Sequence, residues 1–409
     1  MATALGQPQG YVAPNFAGMA GQKFHQAQQI PAFPASPLAG GPAATQGGEF
    51  VDVQGRDVIV QTQFAEGYPA GFGGGDPMAI DFGGYGQDQV GPHYFDVHGG
   101  LVYLQGERLF GNLEAFTAPG AGNPDRFLDP AGDSDEFEPG WHVAFRYDIG
   151  ALAVLEAAYM GLYDFGFADS VNSADVAPGG APSALVSVFN NFGAGAPIAG
   201  IDQGITHSVD FEADFQSTEI NYRRYWVGVN PRVSGTYLVG ARYLRYTDSF
   251  QFNSEGVVGA ASETVSLEWN NENDMVGFHF GGDAWLGLRQ GLRIGVEGTA
   301  GVYNNRYKFN NSGTFSADAA TAPVGVVVIE DFSNAAEGNQ VAFATEADAS
   351  IVADILPSWS LSGGYQVLYL NSLATVGGNI NQGAIGAGLR STQSSLLFHG
   401  FHAELEYIW

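Results

Sequence analysis

From about Tyr94 onward the chain falls into segments of ten or more residues in which apolar and polar side chains alternate, the period of two that belongs to strands. At the C-terminus Phe401, Ala403, Leu405, Tyr407 and Trp409 share one face, and His402, Glu404 and Glu406 the other. Trp359, Leu361, Gly363, Tyr365, Val367 and Tyr369 oppose Ser360, Ser362, Gly364 and Gln366, and Trp141, Val143, Phe145 and Tyr147 oppose His142, Arg146 and Asp148. The pattern predicts ten strands, near 95–107, 140–148, 151–163, 215–228, 236–250, 265–287, 292–309, 339–354, 359–373 and 395–409. Four of the nine connections are short, near 149–150, 229–235, 288–291 and 355–358, and they alternate with five long ones. That alternation is what an up-and-down barrel gives when one rim carries tight turns and the other carries loops.

Both chain ends then share the short-turn rim, which in outer-membrane barrels faces the periplasm. A soluble sandwich or lipocalin-like barrel alternates in the same way but buries its apolar face. Aromatic residues near strand ends (Trp141, Tyr147, Tyr225, Trp226, Trp359, Tyr407 and Trp409) favour the membrane form, whose interfaces carry aromatic girdles. The expected fold is therefore all-β, an antiparallel up-and-down transmembrane β-barrel of about ten strands, within a range of 8 to 12. Two positions strain the register: Trp285 shares the polar parity of His279 and Asp283, and Arg242 and Arg245 fall on opposite faces of one strand, which calls for snorkelling or a bulge.

Composition agrees. Charged residues are 14% of the chain, Gly counts 59, and the net charge of −28 would repel a phosphate backbone, so no nucleic acid partner is expected. With no cysteine there is neither a disulfide frame nor a thiol nucleophile. No apolar run is long enough for a membrane helix. Residues 1–94, rich in Ala, Gly, Pro and Gln, read as a disordered tail and linker before a barrel over 95–409, although Glu49–Gln63 could supply a further strand pair. The glycine cluster at 71 and 73–75 lacks the Lys-Ser/Thr ending of a phosphate loop. The opening MATALGQPQG has neither a basic nor an apolar signal region, so either a signal was removed or this is not the native start.

The chain resembles the β-barrel porin family numbered seven, common in planctomycetes, and more loosely the Legionella-type pore-forming major outer-membrane proteins. The matching pieces run in order: Gly161–Tyr163, Glu219–Arg223 (EINYR), Gly240–Tyr246 (GARYLRY), Asn273–Gly281 (NDMVGFHFG), Ala300–Asn304, Ala342–Glu346, Gly364–Leu370, then His399-Gly400 before Leu405–Trp409. The resemblance implies export, an outer-membrane location and a pore-like role, with no catalytic residues to carry over. Tyr407 and Trp409 are similar to the aromatic-x-aromatic ending read by the outer-membrane insertion machinery.

If the polar parity lines the lumen, its acids are Asp148, Glu156, Glu219, Asp283, Glu297, Glu346, Asp348, Asp354, Glu404 and Glu406, against Arg146, Arg223 and Arg293, with His279 on the same side. An aqueous path with that wall passes small solutes or ions and prefers cations. The alternative is a packed, salt-bridged interior in a plugged structural or adhesive barrel that works through its long loops, at 164–214 and 310–338. His279 and Asp283 could form an acid–base pair, but no Ser stands in a nucleophile context, so no enzyme is expected. Asp129, Asp133, Asp135, Glu136 and Glu138 lack calcium-loop spacing and read as solvated charge. No cofactor or metal is expected; the partners are the lipid bilayer, the insertion machinery and the permeating solutes.

Overall fold

Ten strands hydrogen-bond in chain order into a closed antiparallel ring in the computed structural model. It describes residues 95–408 apart from 108, 111–112, 114, 124, 130–136, 151, 177–183, 231, 259–260, 318–321, 381–382 and 384. The strands are β1 (Phe95–Glu107), β2 (Glu138–Gly150), β3 (Ala153–Asn172), β4 (Gly204–Val227), β5 (Val233–Val258), β6 (Ala261–Arg289), β7 (Leu292–Phe315), β8 (Phe332–Leu356), β9 (Trp359–Leu373) and β10 (Ser394–Ile408). The first strand pairs with the last, from Asp96 opposite Ile408 to Glu107 opposite Leu397, so every backbone edge is satisfied within the ring, as crossing a bilayer requires. The expected tail, the strand pair at 49–63, the glycine cluster, Trp409 and the acids Asp133, Asp135 and Glu136 lie outside the described residues; the ring closes without a further pair.

The short rim is made of turns such as Gln290-Gly291, where Gly291 takes φ +72°, a conformation free of steric cost only for glycine. Above it stands a band of outward apolar side chains. On β6, Val276, Phe278 and Phe280 point outward, and Phe278 keeps 75% of its surface exposed. Leu292, Ile294, Val296, Ala300 and Val302 do the same on β7, an eleven-residue reach that matches the about nine to eleven residues of a tilted membrane strand. Rings bound the band: Trp226 with Tyr237 and Trp359 with Tyr407 near the short rim, Trp141 with Tyr159 and Tyr365 with Phe401 near its other edge.

The long strands continue beyond this band, and there the hydropathy changes places. On β6 the outward positions become Asp274, Glu272, Asn270 and Glu268, while the inward ones become Trp269, Leu267 and Val265, all but fully buried. On β4, inward Arg223, Asn221 and Glu219 give way to Phe215, Phe211 and Val209, and outward Tyr222 and Ile220 give way to Asp214, Glu212 and Asp210. The cause is the solvent. Inside a bilayer the wall faces hydrocarbon and the polar side chains turn to the lumen; above it, water is outside and the apolar side chains turn inward. The extended strands are why β4 begins at Gly204 rather than 215 and β8 at Phe332 rather than 339, and why the expected loops 164–214 and 310–338 are partly wall. In β3, a bulge between Leu162 and Phe165 shifts parity by one residue, so both side chains point inward.

The two arginines of β5 need neither bulge nor snorkelling. Arg242 points into the lumen, whereas Arg245 points outward just above the band, 3.0 Å from Glu272. Trp285 does face inward, beneath the Arg293 guanidinium at 5.6 Å. Tyr225 also lies on the inward parity of β4, so it is not part of a girdle.

Candidate functional site: the barrel lumen

Within the membrane-spanning half the strands bring the polar parity together around a cavity of about 180 Å³. Arg146, Glu156, Glu219, Arg223, Arg293, Glu297, Glu346, Asp348, Glu404 and Glu406 border it. His279 and Asp283 are buried on the same inward face of β6. Arg242, which periodicity left between two faces, joins them.

The charges pair both between adjacent strands and across the ring. Arg223 reaches Glu156 at 2.8 Å, Asp283 at 3.1 Å and Glu297 at 2.8 Å. Arg242 on β5 meets Glu346 on β8 at 2.7 Å and donates to Ser217. Arg293 on β7 meets Glu406 on β10 at 3.3 Å, and Arg146 bonds Glu156 at 2.7 Å. Seven carboxylates nevertheless border the cavity against four guanidiniums, so the wall keeps an acidic excess after pairing.

The other half of the lumen is a stopper. Described residues between strands fold back into the ring: they fall within 109–128 after β1, 185–203 after β3 and 374–391 after β9. Phe116 stacks on Phe250 of β5 with centroids 4.6 Å apart, Phe110 meets Phe211 of β4 at 4.8 Å, and Phe189 lies parallel to Trp269 of β6 at 5.5 Å. Thr117–Ala118 pair with Val186–Ser187 in a two-residue ladder that ties the first two segments together. The third is held by amides of the wall: Asn273 donates to Ala374 O, Asn305 to Ser372 O and Asn311 to Ala387 O, at 2.7–3.0 Å. Its short helix, Val376–Asn379, carries Thr375 as N-cap, and Val376 N–H donates to Asp248 at 2.7 Å.

Asp248 and His207 are among the ionisable groups of this dry region, above the membrane band. Burial pushes the Asp248 carboxyl up to about 7, although Val376 N–H and Asn271 both donate to it. Burial likewise holds the His207 imidazole down at about 4, where it stays neutral between the Thr117 hydroxyl and the Ile201 carbonyl.

His279 and Asp283 do not form the acid–base pair that their spacing suggested. Asp283 commits its oxygens to Thr236 and Arg223, while His279 stands 3.6 Å from Glu219. A second group of histidines, which alternation alone did not single out, gathers where β10 closes onto β1: His98 on β1, His142 on β2 and His402 on β10 around Glu404. Donor atoms of His98, His142 and Glu404 lie within 4.8 Å of one another, so these are the residues best able to hold a metal ion among those described. The available signal was closure itself, which sets Glu404 of β10 opposite Gly100 of β1, while Gly100 stands opposite His142 of β2. Tyr407, half of the expected assembly ending, packs outward against Trp359.

A family described as "Putative beta barrel porin-7" matches residues 180–393. No curated protein sequence matches the chain. Among solved structures it is similar to the outer membrane protease OmpT from Escherichia coli, with 9% identity over 78% of this chain and 97% of that one and a TM-score of 0.38. It is also similar to the P. putida toluene transporter TodX (7%, 78% and 90%, 0.24) and to an anion-selective porin from Comamonas acidovorans (10%, 77% and 98%, 0.19).

Proposed function

The chain belongs to the beta barrel porin-7 family and is an outer-membrane β-barrel, and from that premise we propose that it is a self-closed porin: a passive route for small cations that its own inward-folded segments hold shut. The observation that carries this reading is the stacking of two unlike halves on one axis, an acidic aqueous cavity below and an apolar stopper above. Ions entering the lower half meet a wall with more carboxylates than guanidiniums, whose summed potential favours cations. They stop at a packed cluster of aromatic and aliphatic side chains, which cannot replace their water. Passage therefore needs displacement of the stopper, and the lumen residues named above are the proposed pore lining. Catalysis is not part of the reading, since Asp283 is committed to Thr236 and Arg223 and does not pair with His279.

The test is a planar bilayer recording of the full chain, refolded into detergent, under a salt gradient. Rare discrete openings with a cation-selective reversal potential are expected. An anion-selective reversal potential, or a large conductance that is open all the time, overturns it. A second reading is favoured by the height of the collar above the membrane: an envelope barrel that acts through its outer rim. A folded barrel that never conducts, even when its stopper is loosened, would select that reading.

A further inference from the structure

We propose that the closing seam of the barrel carries a binding site for a divalent transition-metal ion, zinc above all, formed by His98, His142, His402 and Glu404. The Glu404 carboxylate is the hub: its Oε1 is 2.8 Å from His142 Nδ1 and 3.8 Å from His402 Nδ1, and its Oε2 is 3.5 Å from His98 Nδ1. The ladder explains the convergence. Gly100 of β1 stands between Glu404 of β10 and His142 of β2, and because it has no side chain the two meet over it.

Three features point to a metal rather than to a salt bridge. First, the donor set is imidazole nitrogen with one carboxylate, the ligand chemistry of zinc and its neighbours, whereas calcium and magnesium take oxygen. Second, His402 is more than nine-tenths buried and its Nδ1 has no hydrogen-bond partner, while its Nε2 is held by Asp348 at 2.8 Å. A carboxylate on the far nitrogen fixes the tautomer so that the near one offers its lone pair, the outer-shell arrangement that metal-ligating histidines use. Third, the donors of His98, His142 and Glu404 already lie within 4.8 Å, and a tetrahedral ion with bonds of about 2.0–2.1 Å needs only side-chain rotation to draw them in. The ion takes the place of the hydrogen between His142 Nδ1 and Glu404 Oε1 and joins three strands, β2, β1 and β10, across the seam.

The experiment uses the full chain in detergent with Zn²⁺ and with Co²⁺ as its spectroscopic substitute, affinity being read by competition against a chromophoric chelator. One ion per chain is expected, with the intense visible bands of four-coordinate Co²⁺ that Zn²⁺ abolishes. His142→Ala and His402→Ala should each weaken binding more than tenfold, and Asp348→Asn, which touches no ion, by about 10–100-fold. Replacing His25, His93 and His399 together by Gln should leave affinity unchanged. Should His98→Ala/His142→Ala/His402→Ala, folded by its heat-modifiable migration, bind as tightly as the parent, the site does not exist. If that variant does not fold, Glu404→Gln decides: unchanged affinity and Co²⁺ spectrum overturn the proposal, and loss of both sustains it.

Discussion

Truncating Phe116 to alanine tests whether the inward-folded segments are the gate. Phe116 is fully buried, stacked on Phe250 at 4.6 Å and edge-on to Phe110 at 5.7 Å. A buried Phe→Ala change costs about 3–5 kcal/mol, part of it the about 0.5–1.5 kcal/mol that each aromatic pair contributes beyond its area. Only the closed state buries this ring; once segment 109–128 lifts away, the wall is the same with Phe or Ala at 116. The cost therefore falls on closure, and at 1.36 kcal/mol per factor of ten it multiplies the open-to-closed ratio by about a hundred to several thousand. Single-channel recording at fixed voltage reads this as open probability, with heat-modifiable migration confirming that the ring is folded. A folded F116A whose open probability stays within about threefold of the parent would refute the reasoning, because the stopper would then bear no relation to conduction.

Three further outcomes follow from the lumen and the stopper. Arg223→Met leaves Glu156, Asp283 and Glu297 without the cation they share, at a cost of about 3–5 kcal/mol, and should lower the urea midpoint while Arg223→Lys restores part of it; an unchanged midpoint would show that the network is not structural. Glu219→Gln with Glu346→Gln removes two of the seven carboxylates that border the cavity and should move the reversal potential toward zero, and a fixed reversal potential would place selectivity elsewhere. Asp248 binds its proton more tightly folded (about 7) than unfolded (3.8), so the folded state loses stability as pH rises through that window and holds steady above it; Asp248→Asn, which keeps an acceptor for Val376 N–H, should be the more stable protein at pH 8 and nearly equal to the parent at pH 4, by urea unfolding at both.

Much of the wall is legible in the sequence, and the misread parts share one cause. β1 and β9 run from 95 to 107 and from 359 to 373, as alternation predicts. β4 was read from 215 because Phe215 is the point at which the inward parity turns from polar to apolar, and a search for one phase ends there. The Arg242 and Arg245 puzzle has the same root: one lies below the upper edge of the band and the other above it, where outward charge is at no disadvantage. The lumen acids are legible from parity because parity is read within a single strand and needs no knowledge of its neighbours. The stopper did not, since Phe116 and Phe189 sit in stretches without period and are buried only because a ring has closed around them. The seam histidines were hidden likewise, because β1 and β10 stand at opposite ends of the barrel sequence.

The exchange of hydropathy along single uninterrupted strands also settles what can move. Shift β6 by one residue against its neighbours and Trp269 is thrust into water in the same motion that thrusts His279 into hydrocarbon. A barrel with one solvent outside suffers from a slipped strand along one stretch; this one suffers along two, with penalties of opposite chemistry that no single sliding direction relieves. The staves are thus locked in their stagger, a double constraint that the inward-folded segments, which lie outside the ladder of the ring, do not share.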